Sequence, residues 1–314
     1  MFPTPWEFAD IPPESTPGSL RLPLGLTDSG ETASIGALPG EGRHFLALGE
    51  TGTGKSSSLL RLARNATQLG GVLLLDPVGE TADRFVELLS TSERHDLRWV
   101  APGASGCSLN ALACTTEAGP LGSESRERTI GELVLALRQV RLGRFPETSF
   151  WGPRIEEHLH AALAAAAESP GATLVEAHAL LEGEESCFGG WSEPGRAAAR
   201  RFYAWSRSRR EEGEGARRLL GEITRSSALR RLLCSTTPDW SLDEVDRPHA
   251  ITVVSGGAAE LGESGARLLL GVYLALLWSR LLSRRPDQKL FLVLDELQWY
   301  AHGALSELLR LGRR

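Results

Sequence analysis

The sequence is poor in sulfur, with four cysteines and one methionine in 314 residues. Cys107, Cys114, Cys187 and Cys234 have neither the close paired spacing of a zinc site nor the density of a disulfide scaffold. They are expected as small buried residues. Net positive charge is also missing: 34 Lys and Arg face 40 Asp and Glu, a balance of −6. That excludes a uniformly basic coat for nucleic acid, but not basic groups confined to a channel. No apolar run reaches the roughly 20 residues of a membrane span. The longest candidate, Leu268 to Leu282, is interrupted by Ser279 and Arg280. The N-terminus, MFPTPWEFADIPPESTPGS, carries acids and prolines where a signal peptide has basic residues and an apolar stretch. A cytoplasmic chain without a membrane segment is expected.

What remains is the composition of an ordinary globular protein, 41% hydrophobic and 24% charged, long enough to bury a real core. Prolines at 3, 5, 12, 13 and 17 mark residues 1–21 as an extended arm. From His44 the pattern turns βα: an apolar strand HFLALG, a glycine loop, and a helix from about Lys55 to Leu69. A buried strand follows at Gly71 to Asp76, then a helix ending near Leu89 and a short strand at Asp96 to Val100. Continuous apolar runs of this kind indicate parallel strands covered on both faces. Residues 121–234 lose the strand pattern and read as helices, an all-α subdomain inserted into an α/β core made of 22–120 and 235–314. The strand pattern returns in Ala250 to Gly256 and Lys289 to Leu294, separated by a helix from about Ser264 to Leu282, and a last helix is expected from about Gly303 to Leu311.

The chemistry concentrates in Gly49 to Ser56, GETGTGKS, between a strand and a helix. Glycines at Gly49, Gly52 and Gly54 let the backbone, through Glu50, Thr51 and Thr53, turn its N–H groups onto phosphates at the positive end of the helix that Ser57 continues. Lys55 would meet the β- and γ-phosphates and Ser56 would ligate magnesium, so ATP and Mg2+ are the expected ligands. A hydrolase of this class also needs a carboxylate for the metal and one to activate water. Asp295 and Glu296, ending the run FLVLDE, supply both. Asp76, opening DPVGE after a strand, reads equally as a turn starter or as a carboxylate near the γ-phosphate. His158 and His160, two apart on a helix, face different directions and make a poor metal pair. The tryptophans of the helical segment and Tyr203 are expected in its core.

The order of segments resembles the HerA/FtsK superfamily of ring ATPases, and within it HerA-like and TraD/TraG-type conjugative coupling proteins. The resemblance covers about Leu22 to the end. It rests on RHFLALGETGTGKSSSLLRLA, GGVLLLDPVGETADRFVELL, SLNAL, FWGPRIEEHLHAAL, SALRRLLCS, WSLDEV, AITVVSG and LVLDELQWYAHGALSELLRLGRR. It implies a RecA-like core with a mostly parallel sheet, and an ATP-driven translocase passing DNA, double-stranded by expectation, through a homohexameric ring. A nuclease or secretion channel would be its partner. It also implies that Asp295 serves the metal, that Glu296 serves the water, and that Arg313 or Arg314 reaches into a neighbouring subunit's site. Without the resemblance, the two arginines read as a solvated tail. Val78 stands where the family often has Lys or His, and the chain stops at Arg314, before the family's further strand and polar sensor residue. Either a fragment or a motor without part of the usual C-terminal machinery is therefore expected. The alternatives are an ATPase of secretion or pilus assembly acting on protein, and a nucleotide-binding module without catalysis.

Overall fold

The structure is a computed structural model that describes residues 14–16, 19–26, 29–37, 44–50, 52–103, 106–113, 120–144, 151–184, 190–206, 209, 211–245, 247–282 and 289–300. Its centre is a parallel sheet formed by runs rich in leucine and β-branched residues: β4 (Gly71–Asp76), β5 (Leu97–Val100), β6 (Ile251–Ser255) and β7 (Leu290–Leu294). The spatial order is β5-β6-β4-β7, with Leu75 level with both Val254 and Leu294. An α/β fold around a parallel sheet is therefore present, as the buried runs imply.

Period-two alternation sends neighbouring side chains of β4 to opposite faces. Val72 and Leu74, with Ile251, Val253 and Val293, pack against Leu60, Ala63 and Ala66 of α1 (Lys55–Ala66) and Ala82 and Phe85 of α2 (Glu80–Leu88). Leu73 and Leu75, with Val100 and Val254, join a much larger core on the other face. A short α3 (Thr91–His95), closed at its start by a Ser90/Glu93 capping box, links α2 to β5.

The larger face is covered by α4 (Pro120–Arg144) lying along α10 (Ala258–Leu282). The two helices approach closely at Gly271, where a Cβ would meet Val140 Cγ2 at 2.8 Å. By length and composition alone Ala258–Trp278 of α10 would suffice to cross a membrane. Its Leu269, Val272, Tyr273 and Leu277 are instead completely buried, which makes it the central helix of this core.

Beyond α4 come α5 (Pro153–Ala167), α6 (Leu174–Glu182), α7 (Glu193–Ser206), α8 (Glu214–Thr224) and α9 (Ser227–Leu233). Between β5 and β6 the described residues thus contain helices and no strand. The two ends of this segment are tied together: Leu109 N–H donates to Leu232 O at 2.9 Å and Ala111 N–H to Leu233 O at 2.8 Å. Arg231 reinforces the tie by donating to the carbonyls of Gly106, Ala101, Pro102 and Gly103. Trp191 is buried in the helical core, while Trp151, Tyr203 and Trp205 are half-buried against it. Cys234 is a free buried thiol, which burial pushes up to about 12; Cys107 is free and half-buried. Cys114 and Cys187 lie outside the described residues.

Two expectations need correction. Residues 14–16 and 19–21, expected in an extended arm, belong to strands: β1 (Glu14–Thr16), β2 (Ser19–Leu26) and β3 (Thr32–Ala37) form a separate antiparallel sheet, with β2 beside α1. Pro23 lies in the middle strand β2, where the pairing with β3 shifts register between Pro23 and Gly25. The run HFLALG, by contrast, is not a strand. Residues 44–50 form no strand, and Phe45, Leu46 and Leu48 are 50%, 59% and 83% exposed. Among the described residues β7 is the edge on that side of the sheet. The expected helix at 303–311 lies outside the described residues.

Candidate functional site

Helix α1 is followed after four residues by β4 and packs against β4 and β7, so it runs antiparallel to the strands. Its N-terminus, with Lys55 and Ser56, therefore lies toward the edge of the sheet where β4 ends in Asp76 and β7 runs into Asp295. Gly54 precedes the helix at φ 87° with no side-chain cap, and Gly52 stands at φ 83°. Both values are in the left-handed region, which glycine enters without penalty. The uncapped helix start leaves backbone donors directed outward, where an anion is favoured.

The loop is held by its own contacts. Thr53 Oγ1 donates to Glu50 O at 2.8 Å, and Lys55 Nζ donates to Gly49 O at 2.8 Å and Glu50 O at 2.7 Å. The ammonium is thus folded over the loop that carries it. Gly49, Glu50, Gly52 and Thr53 are exposed; Gly54, Lys55, Ser56 and Ser57 are half-buried; Thr51 lies outside the described residues. The uncapped helix start and the Lys55 ammonium beside it are the donors and the cation that a phosphate would use here.

Asp76 is almost fully buried, at 1% exposure. Its Oδ1 accepts from Val78 N–H and its Oδ2 from Ala82 N–H, both at 2.9 Å. Gly256 N–H donates to its carbonyl at 2.7 Å. Of the two readings of Asp76, the geometry has it holding the turn and the first turn of α2.

Asp295 is placed by β7, with its N–H donating to Leu75 O at 3.1 Å. Its Oδ1 accepts from Glu296 N–H at 3.0 Å and its Oδ2 from Thr81 Oγ1. Glu296 is exposed and stands at φ 50°, a left-handed backbone that costs a non-glycine residue about 1–3 kcal/mol. Its carboxylate accepts from Gln298 Nε2. The turn Leu297–Trp299 that follows is pinned by Arg267 of α10, whose guanidinium lies 4.7 Å over the Trp299 ring and donates to Trp299 O at 3.2 Å.

Beneath this turn Tyr300 is buried, at 3% exposure, and its hydroxyl has no hydrogen-bond partner among the described residues. Burial raises its pKa well above the tyrosine range, and Asp76, Asp295 and Glu296 add to the effect, so the hydroxyl stays neutral. Thr81, Gln298 and Tyr300 were not visible as site residues in the sequence. The only local signal was the position of Thr81 directly after DPVGE.

Among the described residues no group of three or more His, Cys, Asp and Glu could hold a metal alone. A hard cation here would need phosphate oxygens and water beside Ser56 and Asp295, the usual manner of magnesium. His158 is buried on α5, with Nδ1 2.8 Å from Arg154 O and its ring 4.6 Å from that of Trp205, while His160 is exposed. Arg313 and Arg314 lie outside the described residues.

No protein-family model matches the chain. No curated protein matches it in sequence. Among solved structures it is similar to a bacterial conjugative coupling protein, TrwBdeltaN70 in an unbound monoclinic form, with TM-score 0.47 and 15% identity over 84% of this chain. The chain spans 58% of the length of that protein.

Proposed function

We propose that the chain is a magnesium-dependent ATPase, and that it works in the cytoplasm as a motor of the HerA/FtsK kind that moves duplex DNA through a homohexameric ring. What supports this most is one juxtaposition. The uncapped start of α1, with Lys55 and Ser56, and the pair Asp295 and Glu296 after β7 both lie toward the carboxyl end of the parallel strands.

In this reading the backbone of Gly49 to Gly54 and the Lys55 ammonium bind the phosphates. Ser56 and Asp295 would hold magnesium, whose part is to neutralise charge on the transferred phosphoryl group. Glu296 accepts the proton of the attacking water, and Gln298 orients that carboxylate. Arg313 or Arg314 completes the site of the adjacent subunit, a role that can be worth about 10³–10⁵ in rate. A nuclease or a secretion channel is the partner such a motor serves.

The test is ATP hydrolysis by the purified chain with and without duplex DNA, together with its oligomeric mass. Hydrolysis stimulated by DNA, in a salt-sensitive way, by a hexamer is the expected result. Hydrolysis indifferent to DNA removes the translocase and leaves an ATPase. Absence of both hydrolysis and nucleotide binding removes the whole reading.

A further inference from the structure

The bond from Thr81 Oγ1 to Asp295 Oδ2 joins residues 214 apart in the chain. We propose that Thr81 is a positioning residue for Asp295, and that the turn from Asp76 to Thr81 exists to hold that hydroxyl in place. This inference rests on the nucleotide-hydrolysing reading of the site.

The turn is fixed from within and from outside. Both carboxylate oxygens of Asp76 are occupied by Val78 N–H and Ala82 N–H, which lock the entry and first turn of α2 around Thr81. The end of β4 is held by Gly256 N–H on Asp76 O and by Asp295 N–H on Leu75 O. Thr81 itself is 6% exposed, so its hydroxyl has little freedom to seek another acceptor.

Asp295 is half-buried and receives one donor on each oxygen, Glu296 N–H on Oδ1 and Thr81 on Oδ2. Each carboxylate oxygen keeps a second acceptor site. A carboxylate held in this way offers a cation or its water a fixed direction. Hydrogen-bond partners of metal-binding carboxylates commonly change metal affinity about 10–100-fold. Asp76 thus contributes to the metal at one remove, through the turn that it organises.

The experiment compares the wild-type full chain with T81V, which keeps the shape and loses the donor, and T81S, which keeps the donor. Mn2+ binding is measured by electron paramagnetic resonance with a non-hydrolysable ATP analogue present, and the Mg2+ dependence of hydrolysis is resolved into kcat and half-saturation. T81V is expected to weaken Mn2+ binding and to raise Mg2+ half-saturation by about tenfold or more, with T81S within about threefold of wild type. Thermal melting checks that each variant is folded. Should T81V melt below the assay temperature, T81A provides the same comparison. Wild-type Mn2+ affinity in the folded variant that lacks the hydroxyl overturns the role of Thr81 while leaving the ATPase reading intact. A wild-type chain that binds neither Mn2+ with the analogue nor ATP overturns both.

Discussion

The two faces of the parallel sheet are covered unequally. One face carries α1, α2 and a small cluster around Phe85, Leu74 and Val253. The other carries α4, α10 and the helical segment in a single core that runs from Leu75 to Trp191 and Phe202. Among the described residues α1 and α2 of the candidate site sit on the first face, while the turn after Asp295 packs on the second core through Leu297, Trp299 and Tyr300. The second face holds the architecture.

That contrast can be broken at either face. The largest effect is expected from Glu296→Gln, which should lower ATP hydrolysis by about 10²–10⁴ because the proton acceptor is lost. Its melting temperature should match wild type, since the side chain is exposed and the left-handed backbone is kept. A stability loss comparable to a core truncation would show that the site edge is structural after all.

The opposite pattern is expected from Leu133→Ala on α4, at 1% exposure. It should cost about 2–5 kcal/mol in denaturant unfolding while leaving nucleotide affinity of the folded protein unchanged. Weakened nucleotide binding there would mean that the two faces are coupled.

Gly54→Ala sharpens the picture on the small face. At φ 87° an L-residue is strained by about 1–2 kcal/mol, and that strain falls on the loop. Nucleotide titration should show weakened binding with only a small change in melting temperature.

The smallest effect concerns the helical segment. His178 on α6 is held below its ordinary 6.5, chiefly by burial and further by Arg225, against the opposing pull of Glu182 at 3.3 Å. Its Nδ1 is 3.0 Å from Thr224 Oγ1 on α8. A depressed folded-state pKa means that the contribution is present above pH 6.5 and is lost as pH falls toward the folded value. Melting curves from pH 8 to pH 5 should therefore show an acid loss that is shallower in His178→Gln. An identical slope in the two proteins would exclude His178 as its source.

Much of this could be read in advance, for physical reasons that differ by residue. GVLLLD and ITVVS are mostly apolar without alternation, as a strand covered on both faces is; both proved to be central strands. The same logic failed for HFLALG, because apolarity states that a segment prefers burial and not which neighbour provides it. Thr81 was illegible for a related reason. A threonine after DPVGE has no feature that names an acceptor on another strand.

The sequence by itself determined the elements whose cause is local. Left-handed glycines and a helix start make the loop at Gly49–Ser56, apolar runs make the strands, and alternation divides β4 between two cores. Only the tertiary structure decided what depends on distant partners. Pairing across the sheet aligned β4 with β7 and so brought Thr81 to Asp295, and packing of α4 on α10 turned an apolar 21-residue stretch into a buried core helix. Hydrogen bonds and burial of that kind are set by what the chain meets in space, and no local pattern contains it.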